Sequence, residues 1–221
     1  MRRLGLALAV IAAVTAASAC GTTPTVATPG ATAYAPTIDP AAFSATVDNP
    51  FLPVRPGMRW EYRSTTADGA ETTLVTVTST VKTIMGVPCI EVRDTVSLDG
   101  VIKEDTLDWY AQHRDGTVWY FGEDTKEFED GKVVSTKGSW TAGIDGAQPG
   151  IVMPAQPKVG EPYRQEYYQG HAEDMAEVVS LAETATVPSG SSPAWSRPRT
   201  TPHWTPTCWR TSATPAGSAS R

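Results

Sequence analysis

Apolar and polar residues alternate with a period of two through the middle of the chain. Leu74, Thr76 and Thr78 oppose Val75 and Val77, while Ile90, Val92 and Asp94 oppose Glu91 and Arg93. Successive side chains of a strand project to opposite faces, so this pattern describes antiparallel strands with one dry and one wet face. Asp-Gly pairs at 68–69, 99–100, 115–116 and 130–131 separate the runs. Asp-Gly suits a tight hairpin because both central residues of a type I′ turn need positive φ. The pattern predicts strands at 58–66, 71–84, 87–98, 101–111, 117–122, 126–129, 132–137, 162–168 and 175–187. From Ser139 to Gly160 it lapses into glycines and prolines, which predicts a long loop whose Ile151–Met153 plugs the end of a sheet. No segment shows the 3.6-residue period of an amphipathic helix. The expected fold is all-β, a single antiparallel, curved sheet; half-barrel and sandwich both suit the strand count.

The flanks are of another kind. Met1-Arg2-Arg3 precedes an apolar run from Leu4 to Ala17 and then Ser18-Ala19-Cys20-Gly21. A charged n-region, a short apolar region and small residues before a cleavage point make a signal peptide over residues 1–19. The run is shorter than the roughly 20 apolar residues of a membrane span. Ala17-Ser18-Ala19-Cys20 resembles the lipobox of bacterial lipoproteins, which implies lipid on Cys20 and attachment to the outer face of the cell membrane. Residues 20–47, rich in Thr, Ala and Pro, are expected to form a disordered linker, and residues 48–188 the β domain.

Residues 189–221 contain no Val, Ile, Leu, Met, Phe, Tyr, Asp, Glu or Lys, yet hold three of the seven tryptophans, Trp195, Trp204 and Trp209. Disordered tails are polar, and tryptophan enrichment is foreign to them. The composition is what a GC-rich gene yields when translated out of frame from about Ser192. A disordered tail is therefore expected here, in place of strands that would otherwise close the sheet.

Charge narrows the function classes. The net charge is −6, but six of the 18 Lys and Arg lie at positions 2, 3, 197, 199, 210 and 221. Residues 21–196 keep 12 cations against all 24 acids, a net charge of −12. Such an acidic body argues against nucleic-acid binding and against electrostatic adhesion to anionic lipid.

Recognisable catalytic patterns are absent: no Gly-x-Ser-x-Gly, paired-His metal motif, phosphate loop or Cys-x-x-Cys. No catalytic residue, metal ligand or cofactor is therefore assigned. With Cys20 acylated, Cys89 and Cys208 remain; an exported chain permits a bridge between them, but the strand-like surroundings of Cys89 suit a small buried apolar residue. His113 precedes an Asp-Gly turn, and His171 lies near Glu173 and Asp174 in a polar loop.

The strongest local candidate is the hairpin 108–124. Aromatic residues occupy both faces of its strands, so one set belongs to the core and the other is free to meet a ligand or partner. The candidate ligand-binding residues are Asp108, Trp109, Tyr110, Trp119, Tyr120, Glu123 and Asp124.

Asn49-Pro50-Phe51-Leu52-Pro53 with Pro56-Gly57 and Trp60-Glu61-Tyr62 is similar to the entry motif of many bacterial envelope lipoproteins. The blocks Asp105–Gln112, Asp115–Asp124, Gly143–Pro154 and Tyr163–Tyr168 resemble one such family, mostly actinobacterial. The resemblance covers roughly residues 49–188; it implies fold and location and carries no activity. Two functions are weighed. The first is a non-catalytic binding or structural lipoprotein, held to the membrane through Cys20 and taking an apolar ligand, lipid or envelope partner. The second is a secreted hydrolase-like enzyme using Asp108, Glu123, Asp124 or His113. Convergence of those four in one pocket discriminates between them.

Overall fold

The computed structural model describes residues 34–182, 184–187, 190–193 and 209–211. A 3-10 turn at Pro40–Ala42, capped by the Asp39 side chain, precedes the strands. They run β1 (Phe43–Ser44), β2 (Arg59–Thr66), β3 (Gly69–Ile84), β4 (Val87–Leu98), β5 (Val101–His113), β6 (Val118–Glu129) and β7 (Lys132–Ser135). They continue as β8 (Trp140–Thr141), β9 (Gln148–Met153), β10 (Pro162–Arg164), β11 (Glu166–Tyr167) and β12 (Met175–Val178). Further on come β13 (Thr184–Val187), β14 (Gly190–Pro193) and β15 (Trp209–Thr211). The fold is all-β, an antiparallel sheet curled into a half-barrel. Its path is β11-β9-β6-β5-β4-β3-β2, with β1 on β5 and both β7 and β8 on β6. Strands β10, β12 and β15 form a second small sheet, and β13 pairs with β14. No helix among the described residues is long and apolar enough to cross a membrane.

Turn chemistry explains the order of the central strands. Asp99 and Gly100, and Asp130 and Gly131, all have positive φ, so these two hairpins use the expected I′ turn. At 68–69 and 115–116 only the glycine is left-handed. A third I′-like turn sits at Met85-Gly86 between β3 and β4.

Several segments depart from the sequence expectation: the runs 162–168 and 175–187 are each divided into two short strands, and three further differences bear on the site. Residues 139–160 are not one loop: they supply β8 and β9, and Ile151–Met153 belongs to a strand rather than a plug. The misleading signal was Pro149-Gly150. Both lie buried where β11 crosses, and a side chain on Gly150 would collide with the Gln165 carbonyl. The glycine there permits a close backbone approach, not a turn.

The runs 117–122 and 126–129 form one continuous strand, β6. Residues 34–47 also belong to the β unit rather than to the linker. The Tyr34 hydroxyl donates to the Pro149 carbonyl at 2.9 Å, Phe43 packs edge-on against Trp119 and Phe121, and Val47 is fully buried. Cys20 and the rest of residues 1–33, and most of the tail including Cys208, lie outside the described residues.

Alternation along the strands divides the core in two. On one face Cys89, Trp109, Ala111 and Phe121 pack with Trp140, Ala142, Ala147 and Ala172. On the other, Val77, Ile90, Val92 and Val118 pack with Val47, Val54 and Met153. That second core fills only one end of its face, and the site begins where it stops.

Candidate functional site

Strand register places the site residues in rows. Across the sheet Tyr62 faces Thr73, which faces Val96, which faces Glu104. The next row runs Trp60, Val75, Asp94, Thr106, Thr125, and the next Val77, Val92, Asp108, Glu123. A fourth runs Ile90, Tyr110, Tyr120. Residues of adjacent rows two apart on a strand share a face, so aromatic, aliphatic and acidic side chains come together there. They line a cavity of about 550 Å³, with Leu52, Val54 and Val152 closing over it.

One irregularity makes the acidic end. Plain alternation would put Tyr120 and Glu123 on opposite faces. The β5–β6 register slips between the pairs Asp108–Glu123 and Tyr110–Tyr120, and this brings both onto one face. The slip falls at Gly122, whose φ is 135° and where any side chain would collide with the Trp140 carbonyl and the Thr141 backbone. Glycine at this position therefore lets β8 approach and lets the strand bulge.

The Tyr120 hydroxyl then lies 2.5 Å from Asp108 Oδ1 and 2.9 Å from Glu123 Oε2. A phenol has one proton to give. Both contacts are hydrogen bonds only if one carboxyl is protonated and donates to the phenol oxygen. Asp108 fits that role: burial, with Glu123, Asp94 and Glu104 nearby, pushes its carboxyl up to about 8, against the opposing pull of the Tyr120 bond. Burial also raises Glu123. Burial, then the charges of Glu104 and Asp105, raise Asp94 to about 6, and its Oδ1 is buried without a hydrogen-bond partner. Burial and Asp94 push the Tyr62 phenol up to about 12.

Among the described residues that line the cavity only Arg63 is basic. Its side chain is 78 % exposed and bound to Glu61 at 2.5 Å, so it does not neutralise the acids. Among the described residues no three His, Cys, Asp or Glu are placed to hold a metal ion.

The roof depends on Asn49, which is 2 % exposed. Its Nδ2 donates to the carbonyls of Gly116 and Pro154, at 2.8 and 3.3 Å, and its Oδ1 accepts from the amides of Phe51 and Leu52. Four bonds from one side chain fix the segment that carries Leu52 and Val54 over the sheet.

Of the residues singled out in sequence, Asp108, Tyr110 and Glu123 line the cavity. Tyr120 stands behind them, stacked on Tyr110 with ring centroids 4.9 Å apart. Trp109 and Asp124 face a second cavity of about 370 Å³ with Trp140 and Lys82. There Lys82 Nζ sits 3.1 Å from the Trp109 ring centroid, and Asp124 pairs with Lys126. Trp119 packs with Phe43. His113 stands at the end of β5 beside Phe43 and Asp115, and His171 stacks on Tyr168. Cys89 is a free, buried thiol, pushed up to about 12 by burial.

Trp60, Tyr62, Asp94 and Glu104 complete the site and were not singled out by sequence. Asp94 had left a signal: an acid in phase with Ile90 and Val92, on the dry side of its strand. No protein-family model, no curated protein and no solved structure matches this chain.

Proposed function

We propose that the protein is a non-catalytic binding lipoprotein, held on the outer face of the cell membrane through lipid on Cys20, whose cavity takes a small ligand with an apolar body. The observation that carries this reading is the cavity: a face that ends its core early leaves about 550 Å³ between the sheet and the Leu52–Val54 segment. Ligand sites of small molecules typically span roughly 300–1,000 Å³ and combine apolar walls with a few polar groups. A scaffold would have no need of an unfilled face. The four groups on which hydrolysis would rely do not all meet in one pocket. Asp108 and Glu123 share the cavity, Glu123 also borders the second cavity with Asp124, which is paired with Lys126, and His113 stands apart beside Asp115. Their separation favours binding over hydrolysis.

Binding is tested with the neutral, apolar fluorophore N-phenyl-1-naphthylamine. The full chain is expected to give saturable enhancement, and Val75→Trp, which fills the wall beside Trp60, is expected to abolish it while leaving the circular dichroism unchanged. Unsaturable binding, or equal binding by the variant, would overturn the reading. For the tether, Cys20→Ser is expected to move the protein from the membrane to the soluble fraction; retention in the membrane would refute it.

A further inference from the structure

Among the described residues no cation faces the acids of the cavity. Asp94, Glu104, Asp108 and Glu123 lie in adjoining rows on one face, joined by Glu71 at the rim, and Arg63, the one basic residue among the described residues that line it, is turned to solvent. Beside them on the same sheet stand the rings of Trp60, Tyr62 and Tyr110 and the side chain of Val75, and Leu52 also lines the cavity. Buried carboxylates are costly unless paired, and the cost appears here as the upward push on the carboxyls of Asp108 and Asp94 and as a buried Asp94 oxygen with no partner.

We propose that the cavity binds a small amphiphilic organic cation, an amine or quaternary ammonium with an apolar body, its head among Asp94, Glu104 and Asp108 and its body against Trp60, Val75 and Leu52. The inference rests on the reading of this cavity as a ligand site. Register neighbours on the diagonal of a sheet lie roughly 7–8 Å apart. The carboxyl groups of β4 and β5 are thus spread along the wall rather than converging on a point, in keeping with the absence of a metal-holding group among the described residues. A diffuse cation bordered by aromatic rings matches that spread, because ring faces attract cations and carboxylates at several angles can share one charge. A neutral sugar would also stack on the rings, but it would leave the like charges of the wall uncompensated.

The groups that face the head set the pH behaviour. They are Asp94 on β4, Glu104, Asp108 and Tyr110 on β5, Tyr120 and Glu123 on β6, with Tyr62 on β2 and Glu71 on β3 at the margin. Ionised acids hold the cation, so affinity rises with pH as Asp94 and then Asp108 release their protons, and binding itself expels protons into the buffer.

Three ligands with the same octyl body test the proposal by calorimetry on the full chain: octyltrimethylammonium, octanoate and octyl glucoside, each below its micelle concentration. At about pH 8 the cation is expected to bind at least tenfold more tightly than either other ligand, and the preference to shrink toward about pH 5. The double variant Asp94→Asn, Glu104→Gln is expected to lose the preference while still binding octyl glucoside. Equal or tighter binding of the glucoside or of octanoate by the native chain, or a cation preference that survives in the double variant, would overturn the proposal and leave the cavity reading intact. If none of the three binds and N-phenyl-1-naphthylamine also fails, both readings fall.

Discussion

Replacing Asp108 by Asn isolates the strain stored in the acidic wall. Asp108 is 9 % exposed, and its carboxyl is raised from 3.8 to about 8, chiefly by burial. A carboxyl raised in the fold stabilises the native state fully below its unfolded value; that advantage is lost as pH rises through the window up to its folded value. The window here is about 3.8 to about 8. Inside it each pH unit removes about 1.4 kcal/mol, so between about pH 5 and about pH 7 this one group withdraws close to 3 kcal/mol. Asn mimics the neutral acid: its amide donates to the Tyr120 oxygen, leaving the phenol proton for Glu123, and it does not titrate. In urea unfolding across that range, Asp108→Asn is therefore expected to gain on the native protein by about 3 kcal/mol, matching it near pH 4 and exceeding it near pH 8. Asp94 and Glu123 contribute their own slopes to both proteins and largely cancel in the difference. A difference that stays constant with pH would show that Asp108 ionises normally in the fold, and the account of the Tyr120 contacts would be wrong.

Asn49→Ala removes four hydrogen bonds and leaves buried backbone groups unpaired, so a loss of about 2–4 kcal/mol is expected in chemical denaturation. The same variant is expected to weaken ligand binding, because Leu52 and Val54 lose their anchor; unchanged affinity would detach the roof from the site. Gly122→Ala meets the Trp140 carbonyl at a left-handed φ, and a cost of about 2–4 kcal/mol is expected. A variant as stable as the native protein would show that β8 gives way without difficulty and that the bulge does not depend on glycine.

The strands and their turns were legible because they rest on local physics. Period-two alternation and Asp-Gly pairs act within a few residues, and β2 to β5 stand within two residues of the boundaries they predict. Where a residue type serves a distant neighbour, the local signal misleads. Pro149-Gly150 looks like a turn in sequence, yet it is strand, because the glycine is demanded by the passage of β11 and not by the chain's own course. The Pro-bearing stretch before residue 48 looks like linker by composition, yet Tyr34, Phe43 and Val47 find partners 70 residues or more away, or across a neighbouring turn.

The candidate site divides in the same way. Asp108, Tyr110, Tyr120 and Glu123 stand out in sequence because they crowd one hairpin, and three of them line the cavity. Trp109 and Trp119 share that hairpin but alternate to the other face, and Asp124 turns away with them once the bulge at Gly122 has moved Glu123 to the cavity side. A single-residue slip inverts the facing of everything beyond it, and no local composition announces it. Local pattern along the chain suffices for the strand class, the hairpin order and the acidity of the body, and it is the ground on which lipid at Cys20 is proposed. That Asp94, Glu104, Asp108 and Glu123 share one unfilled face with Trp60 and Tyr62 emerges from the folded sheet alone, because cross-strand register, not spacing along the chain, sets which side chains meet.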